Sequence, residues 1–190
     1  MTVQYYYLIS SLPGLVFSAP APVSRNDFIA ECRRLLDDRD QAEFDAFMEG
    51  RIEDVTGFFS RSYLNADRQM RNAVARARAI RSGVDEKKYL KSHGDFRVDV
   101  ESAVDDAYSR INPLERELAL DRFRWNLADE LSRSEPFGLA SVLAYGAKLD
   151  INAHWQSLTP ERGRERLEQL VGIVGVSSDE VAGWSGLAQL

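Results

Sequence analysis

The strongest constraint on the fold lies between Asn112 and Trp155, in the run NPLERELALDRFRWNLADELSRSEPFGLASVLAYGAKLDINAHW. Asn112 is a good N-cap, Pro113 suits the first helical position, and Glu115 completes a capping-box pattern. Leu120, Phe123, Leu127 and Leu131 then recur at helical spacing as one apolar stripe. Leu114, Leu118, Trp125 and Ala128 form a second. A helix apolar on two sides is sandwiched between neighbours, so this one is expected to be central. Its partner starts near Pro136 and places Leu139, Val142, Leu143, Ala147 and Ile151 on one face. The join at Ser134–Pro136 is short enough to force the two helices antiparallel.

The remaining periodic segments are helical too. Ser24 caps a helix carrying Phe28, Ile29, Cys32, Leu35 and Leu36, with Asp27 in its first turn. Asp40 is the expected cap of a second, bearing Phe44, Phe47 and Met48 and closed by Gly50. Val55–Leu64 reads as a buried turn or short helix. Asn65 opens a third clear helix, which Gly83 ends, with Met70, Ala73, Ala77 and Ile80 on its apolar side. Residues 85–96 are polar, with a turn at His93–Gly94, and Asp99–Ser109 is a short acidic helix built on Val100, Val104 and Tyr108. Thr159–Pro160–Glu161 starts another helix with Leu167, Leu170 and Val171. Ser177 and Glu180 open a last one holding Val181, Trp184 and Leu187. No hairpin or alternating strand–helix signal appears. The expected fold is all-α, a bundle of about seven to nine helices in a single domain over residues 1–190. Residues 1–23, with Tyr5–Leu12 as a strand or helical turn and prolines at 13, 20 and 22, would pack on it as an irregular arm.

Composition narrows the function classes. A net charge of −6 opposes a general nucleic-acid coat, and one cysteine, Cys32, rules out an internal disulfide. The first Lys or Arg is Arg25, so the apolar N-terminus lacks the positive start of a secretory signal, and no run of about 20 apolar residues could span a bilayer. A cytoplasmic chain without direct membrane insertion is expected.

Catalytic chemistry is hard to assemble. The two histidines, His93 and His154, have no second ligand at metal-binding spacing, and His154 reads as a polar contact near the end of its helix. Gly172–Ile173–Val174–Gly175 lacks the residues of a phosphate loop and reads as a plain loop. Cys32 sits on an apolar helix face, as a core residue would. The pairs Asp37–Asp38 and Asp105–Asp106 point about 100° apart on a helix and read as solvated faces. No cofactor, metal or catalytic residue is expected, and the chain is not expected to be an enzyme.

One surface stands out. Arg68, Arg71, Arg78 and Arg81 share a side of the third helix, with Arg76 apart from them. They read equally as a solvated face or as a docking site for an acidic protein, whose carboxylates the planar guanidinium fork pairs bidentately. Trp184 is a further candidate contact.

Two segments together carry a family resemblance. YYYLISSLPGL is followed by SRNDFIAECRRLL, and NPLERELALDRFRWNLADEL is followed by FGLASVLAYGAKLDINAHW and TPERGRERLEQLV. The middle element, Arg71-Asn72 and the alternating Ala and Arg after it, fits as well. The combination resembles a bacterial family of uncharacterised helical proteins associated with V/A-type rotary ATPases. That family is itself similar to the all-helical socket protein of those complexes, the C-type central-stalk component (d-type in eukaryotes). The resemblance covers most of the chain and is weakest between Val84 and Ile111. It implies a non-catalytic coupling part on the cytoplasmic face of the membrane, seated between central-stalk subunits and the membrane rotor ring, with no nucleic acid and no cofactor. A soluble helical adaptor or assembly factor is the alternative. The chain is shorter than a full socket protein, which is built from three similar helical units, and the resemblance assigns no individual contact residue.

Overall fold

A computed structural model describes residues 4–158 and 160–174. Among the described residues the chain is all-helical and contains no strand. In order, the elements are α1 (Tyr6–Ser11), α2 (Arg25–Leu35), α3 (Asp38–Met48), α4 (Phe58–Ser82), a 3-10 turn (Glu86–Lys88), α5 (Val98–Ser109), α6 (Pro113–Ser132), α7 (Leu139–Ser157) and α8 (Pro160–Val174). No helix among them is long and apolar enough to cross a membrane. The C-terminal helix expected after Ser177, with Trp184, lies outside the described residues.

The α6–α7 hairpin forms as expected. Asn112 caps α6 by accepting from the Leu114 N–H at 2.9 Å. Leu120, Leu127, Ala128 and Leu131 enter the core, and α6 packs against α7, α5 and α4. The second stripe is only half realised: Trp125 is buried, but Leu114 is 53% exposed because the first turn of α6 projects beyond its neighbours. The more enclosed partner is α7, which buries Ala140, Val142, Leu143, Ala144, Ala147, Leu149 and Ile151 against α6, α2, α3 and α4. A Cβ added at Gly146 would lie 2.7 Å from Met48 Sδ and 3.2 Å from the Phe28 ring. That glycine lets α7 come close to α2 and α3.

Three of the sequence expectations shift. The cap of α3 is Asp37, which accepts from the Asp40 N–H at 2.8 Å; Asp40 instead accepts from the Tyr5 hydroxyl at 2.6 Å. The third helix does not open at Asn65 but runs unbroken from Phe58, absorbing the apolar segment before it; its N-cap, Gly57, has no side chain to cap it, and Glu43 of α3 instead holds the residues that lead into the helix. Glu43 is buried and accepts from the Thr56 and Gly57 N–H groups at 2.8 and 3.0 Å. Gly172–Val174 is the end of α8, not a loop, since the apolar spacing of Leu167, Leu170, Val171 and Val174 continues the helical register. Gly83 does end α4, with φ of +65°, a conformation glycine adopts without penalty.

The N-terminal arm lies across the hairpin. Tyr5 N–H donates to Phe137 O, the Tyr145 hydroxyl to Pro13 O, and Asn152 both accepts from the Ser18 N–H and donates to Val16 O at 2.9 Å. The segment that reads as strand or helical turn is the helix α1, with Leu8 buried in the core. Phe17 meets Trp125 edge-on at 5.5 Å and lies under the Arg122 guanidinium at 3.7 Å.

Two stability outcomes follow from these contacts. Leu127 is 3% exposed, so Leu127→Ala should cost about 2–5 kcal/mol in urea denaturation, against roughly 0.5 kcal/mol or less for Leu114→Ala. Glu43 behaves differently with pH. Burial alone would raise its pKa, but the nearby Ser60 hydroxyl and hydrogen bonds from Thr56 and Gly57 outweigh it and hold the carboxyl below the ordinary glutamate value. A depressed folded pKa gives a contribution that is complete above about pH 4.3 and is lost as pH falls through the folded value. Glu43→Gln should therefore be less stable than the parent by about 1–3 kcal/mol at pH 7, and the gap should close as the solution is acidified.

Candidate interaction surface

Helix α4 carries two kinds of polar side chain, and they do different things. Asn65, Gln69 and Asn72 fall at i, i+4 and i+7, hence on one stripe. All three bond to the backbone of the segment that leaves Gly83 and runs back along the helix, residues 84–97, here called the strap. Asn65 accepts from the Gly94 N–H at 2.8 Å. Gln69, fully buried, accepts from the Arg97 N–H at 2.9 Å and donates to Arg97 O at 2.8 Å. Asn72 accepts from the Lys91 N–H at 3.0 Å and donates to Lys91 O at 2.6 Å. A side-chain amide has the same donor and acceptor as a peptide group, so each offers the strap what a neighbouring strand would. Gly94 is where the expected turn makes its closest approach: a Cβ there would lie 2.9 Å from the Asn65 amide.

With the strap in place, α5 runs parallel to α4. Glu101 accepts from Gln69 at 3.0 Å and from Arg76 at 2.6 Å. Burial would raise the Glu101 pKa, but these two bonds prevail and lower it. Arg76 is thus spent between helices, apart from the other arginines as its position implies.

The four candidate arginines divide. Arg68 is half-buried, donates to Ser92 O at 3.2 Å and reaches Glu53 at 3.4 Å, so it belongs partly to the strap. Arg71 is 75% exposed and pairs with Asp67 at 2.8 Å. Arg78 is 66% exposed; it donates to the Tyr108 hydroxyl at 3.1 Å and lies 3.6 Å from Glu117. Arg81 donates to Tyr108 O at 3.1 Å and covers its ring at 5.1 Å, with Arg116 on the same ring at 5.5 Å. Ile80, expected on the buried side, is 78% exposed, because α4 extends past the helices that cover it and Ala79 takes the buried position.

Arg71 and Arg78 line a cleft of about 430 Å³ between α4, α6 and the start of the strap. Its floor is apolar, formed by Val74, Ala75, Ala79 and Leu120, and Val84 and Tyr89 make the far wall. Arg124 closes the bottom, bonded to Asp67 at 2.8 Å and Asp121 at 2.7 Å. Burial alone would lower the pKa of Arg124, yet the two aspartates reverse that and raise it, while burial pushes Tyr63 beside it up. This ionic cluster ties α4 to α6 antiparallel, and its buried partners make it a structural element. The arginines are visible in the sequence, but the strap wall and the α6 wall come from segments far along the chain.

His93, in the turn before Gly94, has its Nδ1 buried without a hydrogen-bond partner among the described residues. Cys32 is fully buried and its thiol is pushed up to about 12 by burial. Asp37 and Asp38 are exposed, the former as a cap, and Asp106 pairs with Arg110 at 2.8 Å. His154 is exposed and meets Trp155 edge-on at 5.8 Å. Among the described residues no group of three or more His, Cys, Asp or Glu is placed to hold a metal ion.

Comparison with known proteins places a likeness over the second half of the chain. Residues 99–177 match a family model described as "Protein of unknown function (DUF2764)". The match spans α5, the α6–α7 hairpin and α8, and so includes the α6 wall of the cleft but not α4 or the strap. No curated protein and no solved structure matches the chain.

Asn72→Ala would leave the Lys91 N–H and C=O without their partner. A loss of about 1 kcal/mol in thermal denaturation is expected, together with faster protease cleavage inside residues 84–97. Cleavage at the parental rate would mean the strap is held by something else.

Proposed function

We propose that this chain is a non-catalytic accessory subunit of a V/A-type rotary ATPase, similar to the C-type socket protein, that couples the central shaft to the membrane rotor ring from the cytoplasmic face. The observation that carries this reading is the division of labour on α4. One stripe fastens the bundle into a stiff body, and the opposite side presents guanidiniums over an apolar floor. A torque-transmitting part needs a stiff body and a docking surface, and it needs no reaction centre. The resemblance of the N-terminal arm, the arginine helix and the hairpin supports this choice of complex.

The open cleft also favours a second reading, a soluble adaptor or assembly factor that receives a helix of one of the ATPase proteins. Stoichiometry separates the two. Tagged protein captured from gently solubilised membranes should bring down central-stalk subunits and rotor ring in fixed ratio, and the isolated chain should hydrolyse no ATP. Capture of these proteins only before assembly is complete would favour the adaptor. Failure to capture any part of the ATPase would overturn both.

A further inference from the structure

The cleft has a more specific geometry than a basic patch. Arg71 and Arg78 are seven residues apart, two turns of α4, so their Cα atoms are separated by about 10 Å along one lip. Between them lie Val74 and Ala75, with Leu120 across the floor. Tyr108, with Arg81 and Arg116 on its ring, stands beyond the Arg78 end. Arg71, Arg78 and Arg124 are matched by Asp67, Glu117 and Asp121, while Arg81 and Arg116, at the Tyr108 end, bond to backbone carbonyls, which leaves two guanidiniums in excess there on a chain of net charge −6. The strap turn between Val84 and Tyr89 adds none, since Asp85 and Glu86 balance Lys87 and Lys88. The guanidiniums of Arg71 and Arg78 are held loosely enough, at 75% and 66% exposure, to exchange partners.

We infer that this cleft is the docking site for one amphipathic helix of a protein partner, carrying carboxylates at i and i+7 for Arg71 and Arg78 and apolar residues at i+3 and i+4 for the floor. The inference deepens the proposed role: it rests on that role for the partner's place in a complex, while the chemistry of the partner rests on the cleft alone. Charge complementarity selects the acidic face. The narrow apolar floor between two lips selects a helix over a flat surface, because a helix repeats its side chains at the period of the α4 lip. The local charge excess steers the approach, and the apolar residues hold the register.

The test uses the full chain and a short stapled helix with Glu at i and i+7 and Leu at i+3 and i+4. Fluorescence anisotropy should show saturable binding that weakens as salt is raised. Replacing both Glu by Lys in the probe, or moving the second Glu to i+5, should weaken binding about tenfold or more. The Arg71→Glu/Arg78→Glu protein should lose affinity to the same degree, with its thermal midpoint unchanged. Arg71→Gln/Arg78→Gln provides a milder variant in case charge reversal perturbs folding, and Arg34→Glu, exposed on α2, should bind as the parent does. The inference is overturned by no binding of the Glu probe, by equal binding of the Lys probe, or by full affinity in the Arg71/Arg78 variants. It is also overturned if those arginines prove necessary only for binding anionic vesicles or for self-association. If the double variant still co-purifies with an ATPase in full, the cleft assignment fails while the functional reading stands. If the probe binds as described but no part of an ATPase is captured, the reverse holds.

Discussion

Three side-chain amides on α4 stand in for a whole secondary-structure element. The segment after Gly83 is polar, and apart from one 3-10 turn it has no repeating structure, so its peptide groups need partners from outside. Asn65, Gln69 and Asn72 supply them, and the consequences reach far from the contacts. The strap delivers Arg97 to the start of α5, where Gln69 holds it, and thereby sets α5 parallel to α4. With α5 fixed, α6 returns antiparallel, and Asp67 meets Arg124. The wall that Val84 and Tyr89 give the cleft exists only because the strap is tied down just beyond them, at Lys91.

A second tie works at the other side of the bundle. The N-terminal arm crosses the hairpin and is caught at Pro13, Val16 and Ser18 by Tyr145 and Asn152, with Phe17 under Arg122. Ser18 has φ of +62°, an unfavourable conformation for a non-glycine residue, and the Asn152 carboxamide accepts its N–H. Both ties have the same form, a side-chain amide on a long helix clasping an irregular segment. Buried polar groups are costly unless fully satisfied, and here the satisfied ones fix which irregular segment lies where.

The helices are legible in the sequence because their apolar residues repeat with a helical period. The α6–α7 hairpin, the Ser24 cap and the Gly83 stop are all local patterns. Local reasoning fails where a partner distant in sequence decides the outcome. Asn is a good local cap, which puts the start of α4 at Asn65, but the helix starts after Gly57, whose N–H is held by Glu43 from α3, and Asn65 is spent on Gly94. Asp40 misleads as a cap in the same way, since the Tyr5 hydroxyl claims it. Ile80 and Leu114 fit apolar stripes yet face solvent, because periodicity does not show where the covering helices stop. The amides at 65, 69 and 72 form a visible i, i+4, i+7 stripe. What they hold is invisible, since strap residues such as Lys91 and Gly94 contribute only backbone. The arginine row is legible, but the cleft it lines is not, as its other walls come from α6 and the strap.

If the amide stripe is what organises α4, the strap and α5, the backbone N–H groups it holds should be as hard to open as the helix itself. Native-state hydrogen exchange reads this directly at Lys91, Gly94 and Arg97, whose N–H groups donate to Asn72, Asn65 and Gln69. These three are predicted to exchange with the protection of the α4 core around Met70 and Ala73, opening together with it. Exchange at the rate of an unprotected loop while α4 remains protected would contradict that role for the stripe.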